Sequence, residues 1–185
     1  MRVVNNMKTI SFLGSPRRNG NTAALLNRVL DGIYHEEKSA REDYIFLHEK
    51  NIKPCTGCNS CKTEKNGMCI IKDDMQDIYK VIAKSELVIL ASPIYWWSVT
   101  AQMKLLIDRL YGINKDCGKK KVMLLMTYDG ELPNSGPETT EKLFREICGY
   151  LHLEVAGVLG VCTGSVQVKD NTAALQQAFD MGRSL

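Results

Sequence analysis

The stretch Leu87-Val-Ile-Leu-Ala91 has no polar residue in it. A strand with one face in water alternates, so an unbroken run this short belongs to a strand covered on both faces. Such strands sit at the centre of parallel sheets, and parallel neighbours require crossover connections, usually helices. The surrounding sequence supplies both. Apolar runs at Met7–Leu13, Asp43–Leu47, Val122–Met126 and Val155–Val161 read as further strands. Between and after them lie segments with helical spacing. Residues 25, 26, 29, 30 and 33 fall on one face of a helix, with Asn21 or Thr22 placed to cap it. Met75, Ile78, Tyr79 and Ile82 form a second inward face. Further helices are expected up to Tyr111, over Glu138–Leu151 and over Asn171–Arg183.

Five strands alternating with helices define an α/β fold of three layers, with a parallel sheet and right-handed crossovers. No linker, repeat or low-complexity stretch divides it, so one domain over residues 7–185 is expected, with Met1–Asn6 frayed. In such sheets ligands bind beyond the carboxyl ends of the strands. The loops after the first, third and fourth strands (Gly14–Thr22, Ser92–Ser98 and Thr127–Gly136) should therefore share one edge.

The first of these loops, Gly14-Ser-Pro-Arg-Arg-Asn-Gly-Asn-Thr22, has neither the Lys-Ser/Thr of an ATP-type phosphate loop nor a G-x-G-x-x-G fingerprint. It does offer Ser15, Thr22, Arg17 or Arg18, Asn21 and free N–H groups at a helix start, which are donors suited to a phosphate monoester. A Gly/Pro turn with a helix cap would use the same positions, but two arginines and two hydroxyls in nine residues favour phosphate. The second loop places Tyr95, Trp96 and Trp97 where a planar ring can stack, with Ser92 and Ser98 as hydrogen-bonding groups. An isoalloxazine needs such a surface. The bland alternative is that Trp96 and Trp97 pack in the core or at a subunit interface.

Seven cysteines are many for 185 residues. No apolar signal region opens the chain and no run reaches the about 18 residues of a membrane span. A cytoplasmic, reducing setting is therefore expected, where cysteines read as metal ligands or redox groups. Cys55, Cys58 and Cys61 follow one another at three-residue intervals, and Cys69 closes the set within an irregular segment, residues 48–72. Thiols so spaced can converge on an iron–sulfur cubane. Zinc, which usually takes two separated Cys-x2-Cys knuckles, and plain packed thiols are the competing readings. Cys148 and Cys162 read as buried small hydrophobes, and Cys117 has no spaced partner. Asp73 and Asp74, at a helix start, are explained by the helix dipole. Lys119-Lys120-Lys121 reads as a solvated strand entrance, and a net charge of +3 does not argue for nucleic acid. None of the three histidines has catalytic company.

Together, Gly14–Thr22, Ser92-Pro-Ile-Tyr-Trp96 and Lys104-Leu-Leu-Ile-Asp-Arg109 resemble the NAD(P)H-dependent FMN reductase and iron–sulfur flavoprotein family. The resemblance implies a flavodoxin-like three-layer sandwich, sheet order 2-1-3-4-5, holding non-covalent FMN. It implies that Ser15, Arg17, Asn21 and Thr22 hold the FMN phosphate. Pro93, Ile94, Tyr95 and Trp96 would flank the ring, and Thr127, Tyr128 and Gly130 would close its other side. In the iron–sulfur branch, Cys55, Cys58, Cys61 and Cys69 would bind a [4Fe–4S] cluster. The implied activity is electron transfer from NAD(P)H or a small iron–sulfur donor to a quinone-like, flavin or protein acceptor, by a homodimer or homotetramer. A flavodoxin-type carrier without turnover is the alternative; the mildly basic balance weighs against it.

Overall fold

The computed structural model describes residues 7–36, 44–63, 69–113 and 120–185. Met1–Asn6, Asp43, Cys117 and Lys119, each assigned a place above, lie outside the described residues. The strands are β1 (Thr9–Leu13), β2 (Ile45–Phe46), β3 (Leu87–Tyr95), β4 (Ser98–Val99), β5 (Lys121–Tyr128) and β6 (Glu154–Cys162). The helices are α1 (Asn21–Ile33), α2 (Ser60–Thr63), α3 (Met75–Lys84), α4 (Ala101–Arg109), α5 (Ser135–Tyr150) and α6 (Thr172–Arg183). β2, β1, β3, β5 and β6 pair side by side in that order, all parallel. Counted among themselves they run 2-1-3-4-5, the flavodoxin-like order. The short β4 adds an antiparallel sixth strand beside β3.

The continuous apolar runs are divided between two cores by the strand's period of two. Val88 and Leu90 join Phe12, Leu124 and Met126 on the side of α3, α4 and α5. Leu87, Ile89 and Ala91 face the other way, with Leu13, Met123 and Leu125, onto α1 and α6. Those two helices cross closely. A Cβ on Gly182 would lie 2.1 Å from the Val29 carbonyl oxygen, and one on Gly32 would lie 2.1 Å from that of Phe179.

Three local expectations are corrected. The stretch from Ser92 to Ser98 is no open loop: β3 runs on to Tyr95, and Tyr95 pairs with Ser98 around a two-residue turn. Trp96 and Trp97 occupy that turn with φ of 47° and 60°. The twist of a two-residue hairpin demands positive φ at both positions, a demand usually met by Asn and Gly. Lys120 is buried, donating from Nζ to the carbonyls of Ala83 (3.0 Å) and Ser85 (2.6 Å) at the end of α3. A cation there complements the helix dipole. Asp73 does not simply serve the dipole of α3. Its carboxylate is buried against Arg109, at 2.7 Å.

Candidate functional site

Beyond the carboxyl ends of the parallel strands lies a cleft of about 330 Å³. Its walls are the loop after β1 with the first residues of α1, the end of β3, the end of β5, and Thr163 and Gly164 after β6. The three loops expected to share an edge do so.

Thr100 joins the first two of them. Thr100 caps α4, accepting from the Met103 N–H at 3.3 Å, and its hydroxyl donates to the Gly14 carbonyl at 2.7 Å. Gly14 passes so near α4 that a Cβ would sit 2.9 Å from that of Met103, so glycine is needed at this point. Ser92 accepts from the Thr100 N–H at 3.1 Å, which joins the end of β3 to the same post.

The phosphate-type donors are arranged differently from a capped turn. Gly20, not Asn21 or Thr22, is the N-cap of α1; no side chain caps it and the first turn carries no acid. Asn21 is diverted: its Oδ1 accepts from the Val168 N–H at 3.0 Å. The Thr22 hydroxyl is 2.6 Å from that of Thr127, both residues buried, which ties α1 to β5. With both candidate caps engaged elsewhere, no side chain caps the first turn of this 13-residue helix, whose start lines the cleft. Ser15 is buried and its Oγ accepts from the Arg17 N–H at 3.1 Å. The two arginines are told apart: Arg18 pairs with Glu49 at 2.6 Å and lies 4.4 Å over the Phe46 ring, whereas Arg17 lines the cleft.

Pro93, Ile94, Tyr95, Thr127 and Tyr128 also line the cleft. Burial, and then the neighbouring Cys162, push the Tyr128 phenol above its usual value. Trp96 and Gly130 do not line the cleft. Trp96 is 89% exposed and Trp97 54% at the hairpin tip, so neither is a core residue. Asp129, Thr163 and Gly164 line the cleft without having been anticipated. Thr163 and Gly164 follow the strand beside β5, and the strand order itself was the signal that could have found them. Cys162 is half-buried, not buried, and its Sγ lies 3.3 Å from the Gly130 carbonyl.

The cysteine segment packs at the other end of the neighbouring helix, α4. Gly57 and Asn59, flanking Cys58, have φ of 68° and 59°, which bends the chain tightly between the first three thiols. Cys55 and Cys58 are exposed, Cys61 and Cys69 half-buried. Among the described residues no three potential ligands gather about a single ion. A cubane makes a different demand, since each thiolate binds its own iron. Hydrogen bonds from Ser60 and Thr56 lower the Cys58 thiol, whereas burial, reinforced by Cys69 and Cys55, raises that of Cys61. Beneath them Arg109 is buried, with its Nε lacking a partner among the described residues. Burial opposes its charge, but the hydrogen-bonded carboxylate of Asp73 outweighs this and holds it firmly protonated. The donor set and the orphaned Nε fit an anionic sulfur group here.

Comparison with known proteins agrees with this geometry. The profile of the NADPH-dependent FMN reductase family matches residues 7–157. An iron-sulfur flavoprotein of Archaeoglobus fulgidus is 33% identical over 97% of this chain and 79% of its own length. One from Methanocaldococcus jannaschii is 43% identical over 56% of this chain, a match spanning about half (51%) of that relative. Among solved structures, an azoreductase from Bacillus anthracis superposes with a TM-score of 0.71 at 14% identity, covering 97% of this chain and 100% of that one. An NAD(P)H:quinone oxidoreductase from Methanothermobacter marburgensis gives 0.70 at 14% identity, covering 96% and 95%. At such identities these two structures speak to the fold.

Proposed function

The chain belongs to the NADPH-dependent FMN reductase family, and we propose that it passes electrons from NAD(P)H, or from a small iron–sulfur donor, to a quinone-like, flavin or protein acceptor. The observation that carries this reading is the cleft beyond β1, β3 and β5, lined both by the uncapped start of α1 and by Tyr95. Ser15, Arg17, Asn21, Thr22 and the first-turn amides of α1 would hold the phosphate of FMN. Pro93, Ile94 and Tyr95 would flank its ring, with Trp96 approaching from the hairpin tip. Thr127, Tyr128 and Gly130 would close the other side.

When bound, FMN supplies the exchange between two-electron and one-electron chemistry. The side chains bind and orient it and keep water from one face; no acid–base pair is required of them. Cys55, Cys58, Cys61 and Cys69 would hold a [4Fe–4S] cluster, which supplies a one-electron port. The buried Arg109 Nε without a partner among the described residues, and Cys69 beside the end of α4, support that assignment over packed thiols. No helix among the described residues is long and apolar enough to cross a membrane. We place the protein in the cytoplasm, as a homodimer or homotetramer in which the exposed Tyr95, Trp96 and Trp97 are covered by a second copy.

Steady-state oxidation of NADH and NADPH with a quinone acceptor tests the reading. Turnover that depends on added FMN is expected; a flavin-loaded protein that turns over neither nucleotide would make it a carrier instead.

A further inference from the structure

The cysteine segment is held from below by a buried ion pair that the cleft does not need. Arg109 is the last residue of α4 and is 1% exposed. Its Nη1 donates to the Lys53 carbonyl at 2.9 Å and to Asp73 Oδ2 at 2.7 Å, and its Nη2 donates to Asp73 Oδ1 at 3.2 Å. Asp73 in turn accepts from the Lys53 N–H at 2.8 Å and the Met75 N–H at 3.1 Å. Lys53 precedes Cys55 and Asp73 follows Cys69, so one guanidinium closes the base of the whole segment. Both peptide groups of Lys53 are engaged by the pair.

The same helix end also locates Cys69. Tyr79 donates to the Arg109 carbonyl at 2.7 Å. A side chain on Gly112 would begin 2.7 Å from the Tyr79 hydroxyl and 3.7 Å from Cys69 Cβ. The absent side chain therefore leaves room for the Tyr79 hydroxyl, and Cys69 lies at ordinary contact distance beside it. Gln76 holds the limb beyond, donating to the carbonyls of Cys69 at 2.9 Å and Ile71 at 2.7 Å.

A buried ion pair is a poor device for stability alone, because desolvation offsets most of its attraction. Leaving the buried Arg109 Nε without an acceptor adds to that cost. We propose that Arg109, clamped by Asp73 and Tyr79, is a positioning residue for the sulfur site: it fixes both limbs of the cysteine segment and balances the buried Asp73 carboxylate with a fixed cation near Cys69. The inference rests on the reading of Cys55, Cys58, Cys61 and Cys69 as cluster ligands. Its consequences are specific. A fixed cation favours the more negative, reduced state of a cluster, and cluster potentials respond to net charge and to hydrogen bonds at the sulfurs. Arginine supplies the two-pronged grip that lysine lacks, while lysine supplies the same charge.

The test compares wild type, Arg109→Gln and Arg109→Lys after anaerobic reconstitution with iron and sulfide. FMN content, at a separate site, reports folding. Iron release to a chelator and the midpoint potential of the cluster are the readouts. Arg109→Gln should release iron about tenfold faster or more, the usual scale for partners that orient ligands, and any cluster retained should have a more negative potential. Arg109→Lys should keep a potential near wild type while still losing iron faster. Should Arg109→Gln fail to bind FMN, the lysine variant alone decides, through its iron release. Unchanged release and potential in a folded variant would overturn the proposal, as would loss of FMN from both, which would assign Arg109 to the fold at large. A wild type that retains FMN but takes up no iron or sulfide would instead overturn the cluster reading beneath it.

Discussion

The hydroxyl pair of Thr22 and Thr127 joins the start of α1 to the end of β5 at the edge of the cleft, at 2.6 Å and between two buried residues. Replacing either residue by valine keeps the shape and removes one partner, leaving the other hydroxyl buried and unsatisfied. That costs about 1–3 kcal/mol in each single variant. The double replacement removes both polar groups together, so it should cost far less than the sum, with a coupling of about 1–2 kcal/mol between neighbours in direct contact. Valine and threonine differ little in helix propensity, so the helix start adds little to the difference. Urea denaturation of flavin-free protein measures this at constant m. The same double variant should bind FMN at least about tenfold more weakly, since each hydrogen bond to a charged phosphate contributes roughly 1.5–3 kcal/mol. Fluorescence titration with FMN measures that loss. Additive single costs would refute the pairing of the hydroxyls. A stable double variant with undiminished FMN affinity would refute their place in the site.

Other outcomes follow from the buried groups. Asp73→Asn should destabilise by about 3–5 kcal/mol at neutral pH, because it strands Arg109 in the interior. Burial raises the Asp73 carboxyl, but Arg109 and backbone N–H groups outweigh it and hold it below its ordinary value. Its contribution is then complete above the unfolded value of about 3.9 and fades as pH falls from there through the lower folded one, so denaturation curves of wild type and variant should converge in acid. Burial pushes the Cys148 thiol up to about 11, so iodoacetamide at mildly alkaline pH should leave it unmodified until the protein unfolds; rapid native labelling, read by mass spectrometry, would contradict its packing. Gly182→Ala forces a methyl to 2.1 Å from the Val29 carbonyl oxygen and should lower stability by about 1–3 kcal/mol, seen as a lower urea midpoint.

The parallel sheet was legible because Leu87–Ala91 can only be covered on both faces, and its alternate residues join both cores; the strand order came from the family resemblance, not from the strand signals. The shared edge followed from topology. What stayed hidden depended on partners remote in the chain. Asp73 looked like a helix-start carboxylate because Arg109 stands 36 positions away. Thr22 looked like a cap because Thr127 stands 105 away. Trp96 and Trp97 were invisible as a turn, since the residue types that announce one are Asn and Gly, and two tryptophans with positive φ go against local preference. In each case a tertiary contact overrides a sound local rule.

The most direct test of flavin in the cleft is the visible absorption spectrum of protein purified without oxygen, with iron and acid-labile sulfide assayed on the same sample. Flavin bands are expected, restored by FMN when stripped, with about four iron and four sulfide per chain. A colourless protein that takes up no added FMN would contradict flavin in the cleft.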